Sequence, residues 1–389
     1  MGKIIMNNNI DKYKIPEGSL ISYFSNKVKE FGGINLAQGI PGFAPPNELI
    51  DILKQVANKN IHQYAPGNGN AQLLDLLINN YKEYFSFNKN DFLIVQGVTE
   101  AISLLYIYFS QIIKSDFSVL AFDPAYESYK NIPKIFNNNF IAFPLDNYAK
   151  IDFHKLENTI SEKNVKILFI SSPGNPFGKV FSKEEINIII DLSEKLDFFL
   201  VFDAVYKEIY FNNKPYIPLD KFNERLFYVN SFSKMLSITG WRVGYLIAHN
   251  KHMQNIKNIH DYTGLCAPSV LQETIAEYLN KYDFGKEYLL KLRNKLKLSF
   301  DILYKPLKEI GFNIPEINGG YFIWAKLPNQ FNDGLKFAID LYESEKVAVI
   351  PGIHFSENAF NFIRFNIARE QNEIEEAVFR LRKFFNNTD

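Results

Sequence analysis

Residues 227–246 read FYVNSFSKMLSITGWRVGYL and combine two apolar runs with one lysine and one arginine. The stretch begins with the end of an apolar strand, and two serines then bracket Lys234. A second apolar run follows at residues 243–248, and Gly240 and Arg242 stand where the chain turns between the two runs. The pattern predicts a lysine held at a strand end beside an anion site.

Strands and helices alternate on the N-terminal side of this stretch. Further apolar strand runs lie at residues 92–95, 118–122, 165–170 and 198–202. Between the last two strand runs, Ser182 and Glu185 have the spacing of a capping box, which predicts the start of a helix. This alternation predicts an α/β fold with three layers, α/β/α, around a mostly parallel sheet.

Glycine, polar or aromatic residues follow the carboxyl end of each predicted strand. They are Gly97 and Thr99, Tyr126, Asn175, Asp203 with Tyr206, and Ser231 to Lys234. In open α/β sheets ligands bind at that edge, so five segments are expected to meet at one crevice. Gly97 stands between a strand and a helix, with Thr99 as the predicted N-cap, which suits an anion site made of backbone N–H groups.

The length of 389 residues predicts one large and one small domain. We expect an N-terminal arm and part of the small domain at residues 1–44, and a large ligand-binding domain at residues 45–285. Residues 286–389 then form a smaller C-terminal domain, whose mixed strand and helix patterns indicate an α+β structure.

The composition excludes several classes of partner. Lys+Arg and Asp+Glu are equal at 43 each, so no overall field favours nucleic acid or a membrane surface. The single cysteine, Cys266, excludes an internal disulfide and a cysteine-built metal site, and we expect no metal. The first residues carry no export or lipid signal, and a cytoplasmic location is expected.

The residue types at the crevice match the needs of pyridoxal 5′-phosphate (PLP). A lysine can hold the cofactor aldehyde as a Schiff base, and a carboxylate can keep the pyridine nitrogen protonated. An aromatic ring can stack on the cofactor, while backbone amides, hydroxyls and an arginine bind its phosphate.

The chain resembles the fold-type I, class I/II PLP-dependent aminotransferases over nearly its whole length. The most specific motif is Ser231-Phe232-Ser233-Lys234 followed by Gly240-Trp241-Arg242-Val243-Gly244. Two further motifs stand before it at the intervals of the family, namely Asn175-Pro176-Phe177-Gly178 and Asp203-Ala204-Val205-Tyr206. The resemblance implies the PLP-dependent transferase type I fold.

The resemblance also implies a role for each matching residue. Lys234 is the Schiff-base lysine and Asp203 the partner of the pyridine nitrogen, while Asn175 and Tyr206 hydrogen-bond the ring oxygen. Tyr126 stacks on the ring. The residues implied around the phosphate are Gly97, Val98, Thr99, Ser231, Ser233 and Arg242.

Further implied roles concern the substrate and a second subunit. Arg364 matches the arginine that binds the α-carboxylate of the substrate, with Gly39 and Asn175 beside it. Tyr64 matches a tyrosine that reaches the phosphate of the neighbouring subunit. The resemblance therefore implies a homodimer with composite active sites.

Residues 35–43 and 260–266 resemble the branch that acts on methionine, glutamine, kynurenine and aromatic amino acids. There is no obvious second arginine for a side-chain carboxylate, and an apolar pocket could be supplied by Tyr13, Ile15, Phe24, Phe43 and Tyr262. We therefore expect transfer of the amino group from such a donor to a 2-oxo acid by a ping-pong mechanism.

Three alternatives compete with this expectation. A PLP-dependent carbon–sulfur β-lyase has the same fold and the same cofactor motifs. A non-catalytic PLP-binding regulator is expected to carry an added basic DNA-binding domain, and the sequence has no basic region of that kind. A nucleotide-dependent oxidoreductase needs a glycine fingerprint between a strand and a helix, which the glycines at Gly67 and Gly69 do not form.

Overall fold

The computed structural model describes residues 18–145 and 150–387. These residues form two compact units. The large unit comprises Ile40–Lys297 and Pro315–Tyr321, and the small unit comprises Leu298–Ile314 with the described residues before Ile40 and after Tyr321. The domain bounds at residues 44 and 285 stay a prediction. Tyr13 and Ile15, which were suggested for the substrate pocket, lie outside the described residues.

The secondary structure follows in chain order. The strands are β1 Ile34–Asn35, β2 Phe92–Val95, β3 Ser118–Asp123, β4 Asn139–Pro144, β5 Val165–Ser171, β6 Phe199–Asp203, β7 Leu226–Ser231, β8 Gly244–Ile247, β9 Phe322–Lys326, β10 Val347–Ala348, β11 Ile350–Pro351 and β12 Phe362–Asn366. The α-helices are α1 Leu20–Phe31, α2 Asn47–Val56, α3 Ala71–Tyr81, α4 Val98–Ile112, α5 Glu127–Ile135, α6 Phe153–Glu162, α7 Lys183–Leu196, α8 Phe232–Met235, α9 Asn250–Thr263, α10 Ser269–Lys281, α11 Lys286–Ile310, α12 Gly334–Glu345 and α13 Gln371–Asn386.

The large unit is built around a seven-stranded sheet with the strand order β2-β8-β7-β6-β5-β3-β4. Strand β8 runs antiparallel to both of its neighbours, and the remaining neighbouring pairs are parallel. The prediction of a mostly parallel α/β sheet is confirmed. Because β2 has the same direction as β3, β5, β6 and β7, the carboxyl ends of all five lie along one edge.

Helices cover both faces of this sheet, as the continuous apolar sequences of its strands require. Phe227 and Val229 of β7 pack in the buried cluster that also contains Phe109 of α4. Tyr228 lies between them and points to the opposite face, where its hydroxyl is 3.1 Å from that of Tyr81 in α3. The three-layer arrangement therefore follows from the alternation of side chains along single strands.

The turn after β2 differs from the predicted turn. The N-cap of α4 is Gly97, not Thr99, and the helix already begins at Val98. The N–H of Gly97 donates to the carbonyl oxygen of Val95 at 2.8 Å, which turns the chain directly at the strand end. Gly97 has φ 84° and ψ 171°, a conformation open essentially only to glycine. Thr99 thus lies within the first helical turn.

The small unit combines an antiparallel sheet of order β11-β12-β9 with the short parallel pair β1 and β10. Helices α1, α12 and α13 pack against these strands. Part of its core is an aromatic cluster around Phe312, whose ring contacts those of Phe337, Phe365 and Phe385. The predicted α+β character of the smaller domain is confirmed.

No helix within the described residues is both long enough and apolar enough to cross a membrane.

Candidate functional site

The residues proposed for the cofactor lie at one edge of the seven-stranded sheet. They are Gly97, Val98 and Thr99 after β2, Tyr126 after β3, Asn175 after β5, Asp203 and Tyr206 at β6, and Ser231, Ser233 and Lys234 at β7. Strand pairing aligns the strand ends, since Asp203 is opposite Ser171 of β5 and Val229 of β7. A ligand at this edge would contact several segments that are distant in sequence.

Lys234 lies in the short helix α8, directly after β7. Its Nζ is 5.7 Å from the centroid of the Tyr206 ring and 5.9 Å from the centroid of the Tyr321 ring. The two rings meet edge to face at 5.4 Å. The lysine amine is therefore placed against two aromatic side chains rather than in open solvent.

Tyr321 is a site residue that the sequence analysis missed. Its hydroxyl donates a hydrogen bond of 2.6 Å to the carbonyl oxygen of Lys234, and its side chain is fully buried. Tyr321 thus holds the backbone of α8 while its ring flanks the lysine amine. The Gly319-Gly320 pair before it could have drawn attention to this residue, because Gly319 packs tightly against the carbonyl oxygen of Ile209.

Asp203 is buried at the end of β6, with 3% of its surface exposed. Its Oδ2 accepts a hydrogen bond from the Tyr129 hydroxyl at 2.7 Å, and its Oδ1 accepts one from the Val205 N–H at 3.0 Å. Burial raises the pKa of Asp203 to about 6, although both hydrogen bonds and the charge of Lys234 act to lower it. A cationic N–H group beside this carboxylate would stabilise its ionised form.

Tyr129 was not predicted as a site residue. It lies on α5, its pKa is raised well above the ordinary value by burial and then by Asp203, and it therefore acts as a hydrogen-bond donor. Its ring stacks on Phe169 and meets the ring of Tyr126 edge to face. The sequence signal that could have indicated Tyr129 was its spacing, since it lies one helical turn after Tyr126, the N-cap of α5. Asn175 lines the same small cavity as Tyr126 and Tyr129.

Gly97 and Arg242 form a cradle at the N-terminus of α4. A Cβ atom added at Gly97 would lie 2.7 Å from Nη2 of Arg242, so only glycine allows the guanidinium to approach. Arg242 Nη1 donates to the Thr239 carbonyl oxygen at 3.1 Å, and Nη2 donates to that of Gln96 at 3.2 Å. A fixed guanidinium beside the first turn of a long helix suits a phosphate group.

Two serine hydroxyls are fixed at the end of β7. Ser231 Oγ accepts from the Ser233 N–H at 3.0 Å, and the two hydroxyl oxygens are 2.7 Å apart. The Ser231 N–H donates to the side-chain oxygen of Asn230 at 2.7 Å. Both serines are buried, so their hydroxyls are placed by the chain rather than by solvent.

Gln96, also missed from the sequence, connects this cradle to a surface loop. Its N–H donates to the side chain of Glu100, and its carbonyl oxygen accepts from Arg242. Its side-chain amide donates to the Gly264 carbonyl oxygen at 3.0 Å. Gln96 is therefore hydrogen-bonded both to the loop at Gly264 and to Arg242.

Tyr64 does not join the buried residues of its own chain. Its exposed fraction is 82%, and it lines a surface recess of about 510 Å3 together with Gln96 and Cys266. The structure thus places Tyr64 at the surface, next to the residue that holds Arg242. Tyr262, suggested for an aromatic pocket, is 93% exposed.

In the small unit, Arg364 and Gly39 lie together. Arg364 is fully buried in β12, and its guanidinium carbon is 4.2 Å from the centroid of the Phe322 ring and 4.7 Å from that of Phe355. Nη2 donates to the Ala37 carbonyl oxygen at 2.6 Å. A Cβ atom at Gly39 would lie 3.0 Å from the Phe322 ring, so glycine keeps the space beside Arg364 open.

The residues of the large unit fit PLP. The cradle at Gly97 and Arg242 offers phosphate donors, the buried Asp203 offers an acceptor for the pyridinium N–H, and Lys234 offers a primary amine. The mostly parallel sheet and this set of groups define the class of fold-type I PLP enzymes.

The model of the family described as aminotransferase class I and II matches residues 32–381, and the chain belongs to this family. Members of the family use PLP. The chain is accordingly a PLP-dependent aminotransferase.

Relatives with assigned names agree on the family but not on a substrate. The chain is 30% identical to a probable aspartate aminotransferase of Methanocaldococcus jannaschii, over 90% of this chain and 93% of the relative. It is 26% identical to a probable N-acetyl-LL-diaminopimelate aminotransferase of Bacillus subtilis, over 95% and 93%. The structure of N-succinyldiaminopimelate aminotransferase from Mycobacterium tuberculosis superimposes with a TM-score of 0.86 at 25% identity, covering 97% of this chain and 100% of that chain. The predicted methionine and kynurenine branch is not confirmed.

Proposed function

We propose that this aminotransferase takes its amino group from an apolar or aromatic-type amino acid, such as methionine, glutamine, kynurenine or an aromatic amino acid. The acceptor is a 2-oxo acid, and the two half-reactions follow a ping-pong order. Support comes from the aromatic surroundings of Arg364, whose guanidinium carbon lies 4.2 Å from the centroid of the Phe322 ring and 4.7 Å from that of Phe355. The nearby Arg369 is 8% exposed and donates to the Asn35 carbonyl oxygen, so the chain already engages it.

The observation that carries the proposed chemistry is the joint position of Lys234 and Asp203. The amine of Lys234 lies against Tyr206 and Tyr321, and its charge acts on the buried Asp203 carboxyl. Bound PLP supplies an electron-withdrawing ring that makes the Cα–H bond of the attached amino acid acidic. Asp203 would accept a hydrogen bond from the pyridine N–H and keep that nitrogen protonated, and Lys234 would supply the amine that holds the cofactor.

During turnover the Nζ atom of Lys234 would accept the proton from the substrate Cα and hold it for the proton transfer that bound PLP makes possible. The amine must be neutral for this step, and desolvation favours the neutral form. Arg364 would bind the α-carboxylate through its planar fork, with Gly39 leaving space beside the guanidinium. Tyr206 and Asn175 would hydrogen-bond the ring oxygen of PLP, and Tyr126 would stack on its ring.

A panel of amino donors tests the substrate proposal. Methionine, glutamine, kynurenine, phenylalanine, aspartate and N-succinyldiaminopimelate would each be assayed against several 2-oxo acids. The proposal expects a higher kcat/KM for the first four donors. A preference for aspartate or for the diaminopimelate derivative contradicts it, and the names of the relatives make these the necessary comparisons.

The β-lyase alternative is tested with the same preparation. Cystathionine would be supplied without any 2-oxo acid acceptor, and pyruvate and ammonia would be measured. A transaminase releases neither in excess of the bound cofactor. Steady formation of both products would instead establish the lyase reaction.

We further propose a homodimer in which Tyr64 contributes to the phosphate site of the neighbouring subunit. The exposed tyrosines Tyr64 and Tyr262 support this proposal, since large aromatic side chains at 82% and 93% exposure are suited to an interface. A cytoplasmic location is also proposed, because a single cysteine is typical of chains that fold without disulfides.

A further inference from the structure

Tyr129 touches two residues proposed for the cofactor. Its hydroxyl donates to Oδ2 of Asp203 at 2.7 Å, and its ring lies 5.5 Å from the ring of Tyr126 at an interplanar angle of 86°. The side chain is 3% exposed, so solvent does not compete for the hydrogen bond. One buried side chain thus contacts both the proposed partner of the pyridine nitrogen and the proposed stacking ring.

The orientation of Tyr129 is fixed by the sheet below it. Its ring stacks on Phe169 of β5, with centroids 4.8 Å apart and planes inclined by 2°. Phe169 is paired with Val201 of β6, the strand that ends in Asp203. The pairing of β5 with β6 therefore fixes the position of Phe169 relative to Asp203, and the Tyr129 ring stacks on Phe169.

Asp203 is held at both carboxylate oxygens. The Val205 N–H donates to Oδ1, which fixes one side of the group from its own chain segment. The donor to Oδ2 comes from a different element, α5. Without the hydroxyl of Tyr129 the carboxylate would lose its long-range hydrogen bond and one of the interactions that stabilise its charge.

We propose that Tyr129 is a positioning residue that fixes the ionised Asp203 carboxylate and the Tyr126 ring relative to each other. This inference rests on the proposed roles of Asp203 and Tyr126 at the cofactor. Tyr129 itself does not touch substrate. Its hydroxyl stabilises the ionised form of the Asp203 carboxylate and fixes its orientation, so that a cationic N–H group can bind to it.

The variant Tyr129→Phe removes the hydroxyl and retains the ring that stacks on Phe169. A hydrogen bond to a charged acceptor is worth roughly a ten- to hundredfold change in an equilibrium constant, so PLP should bind weaker by about that factor. Tyr106→Phe is the matched control. Tyr106 is buried in the same core cluster, and its hydroxyl donates to the neutral side chain of Asn138 at 2.8 Å.

Two readouts need no turnover. The first is the dissociation constant of PLP by equilibrium dialysis, measured for the unchanged protein, Tyr129→Phe and Tyr106→Phe. The second is the titration of the Asp203 carboxyl in cofactor-free protein by infrared difference spectroscopy, with Asp203→Asn to assign the band. We expect Tyr129→Phe to weaken PLP binding and to shift the Asp203 titration to higher pH, and Tyr106→Phe to do neither.

A double substitution separates positioning from general stability. If Tyr129 acts through Asp203, Tyr129→Phe should have little further effect on PLP binding in the Asp203→Asn background. Full additivity of the two effects contradicts the inference, as does an unshifted Asp203 titration in Tyr129→Phe. Failure of the unchanged protein to take up PLP contradicts the proposed function instead, and the cofactor-free titration still decides the role of Tyr129.

Discussion

Opposing effects act on the carboxyl group of Asp203. Burial favours its neutral form, while the Tyr129 hydroxyl, the Val205 N–H and the charge of Lys234 favour the ionised form, and the pKa that results is about 6. A solvated aspartate needs no such support. A cationic N–H group of a ligand placed beside Asp203 would add to the interactions that favour the ionised form.

The stability of the cofactor-free protein should depend on this group. The folded pKa of about 6 lies above the ordinary value of 3.8, so between these values the folded state holds more protons than the unfolded chain. Raising the pH through this window therefore lowers the free energy of unfolding. The Asp203→Asn variant has no carboxyl group to ionise at this position. Its free energy of unfolding minus that of the unchanged protein should therefore rise by about 2 kcal/mol between pH 4.5 and pH 7.

Urea unfolding of both proteins without PLP at the two pH values measures this difference. The comparison between variants cancels the other titrating groups. An equal difference at pH 4.5 and pH 7 would show that Asp203 is ionised normally in the fold.

Arg364 is held in a different way, by contacts with two aromatic rings and by a hydrogen bond to one backbone carbonyl oxygen. The Phe322 and Phe355 rings lie against the guanidinium, and Ala37 accepts one of its hydrogen bonds. Such a plane is fixed in orientation, which a lysine ammonium cannot reproduce.

Arg364→Lys should therefore lower kcat/KM for every amino donor by roughly ten- to a hundredfold, since a charge-assisted pair to the carboxylate is lost. PLP binding should be unchanged. Arg369→Lys serves as the control, because Arg369 is another buried arginine of the small unit and is bonded to the Asn35 carbonyl oxygen. Equal kinetic losses in both variants would remove Arg364 from the substrate site.

At the scale of elements, the turn between β2 and α4 is packed against the segment that leads into β8. A Cβ atom at Gly244 would lie 3.0 Å from Cα of Gly97, and one at Gly97 would lie 2.7 Å from Arg242. The two turns approach as closely as backbone allows. Two glycines thereby bring the arginine to the N-terminus of α4.

Gly97→Ala should cost about 1 to 3 kcal/mol of stability, because its φ of 84° and ψ of 171° are essentially closed to other residues. The added methyl group also displaces the Arg242 guanidinium, so PLP affinity should fall. Gly240→Ala is the control, since among the described residues, apart from its chain neighbours, no heavy atom lies within 4 Å of its Cβ position. Thermal unfolding and equilibrium dialysis would measure both effects, and equal behaviour of the two variants would contradict the cradle.

The strands of the large sheet were predictable because their buried apolar runs are continuous in sequence. Strand β4 was not predicted, since it lies at the edge of the sheet and only one of its residues, Phe143, is buried. The N-cap at Gly97 was missed because Thr99 has the better capping side chain, whereas the backbone conformation decided the turn.

The positions of the proposed site residues at strand ends could be predicted for the same reason, because each motif directly follows an apolar strand run. The contacts of Tyr129 and Tyr321 could not. The Tyr129 hydroxyl reaches Asp203 only through the packing of α5 on β5, and Tyr321 reaches Lys234 from a segment 87 residues later in the chain. Such contacts depend on strand register and packing between distant segments, which no local pattern encodes.

At the scale of the whole molecule, the proposed dimer concerns the surface recess that Tyr64 lines. It lies beside Gln96, whose carbonyl oxygen binds Arg242. A tyrosine from a second copy could approach the phosphate cradle from this side.

Hybrid dimers test that arrangement. Lys234→Ala and Tyr64→Ala chains carrying different tags would be co-expressed, and the mixed dimer would be isolated. If Tyr64 serves the neighbouring subunit, one site of the hybrid contains both residues and should regain activity above that of either parent. No recovery would place Tyr64 in the site of its own chain, and a monomeric protein in sedimentation would exclude the dimer.

The central claim is that Lys234 carries PLP. The measurement that tests it most directly is borohydride reduction of the PLP-loaded protein, followed by peptide mass spectrometry. We predict loss of the visible absorption band and a single pyridoxyl label on Lys234. A label on another lysine, such as Lys207, which is buried beside Glu208, or a colourless protein without any label, would contradict the account.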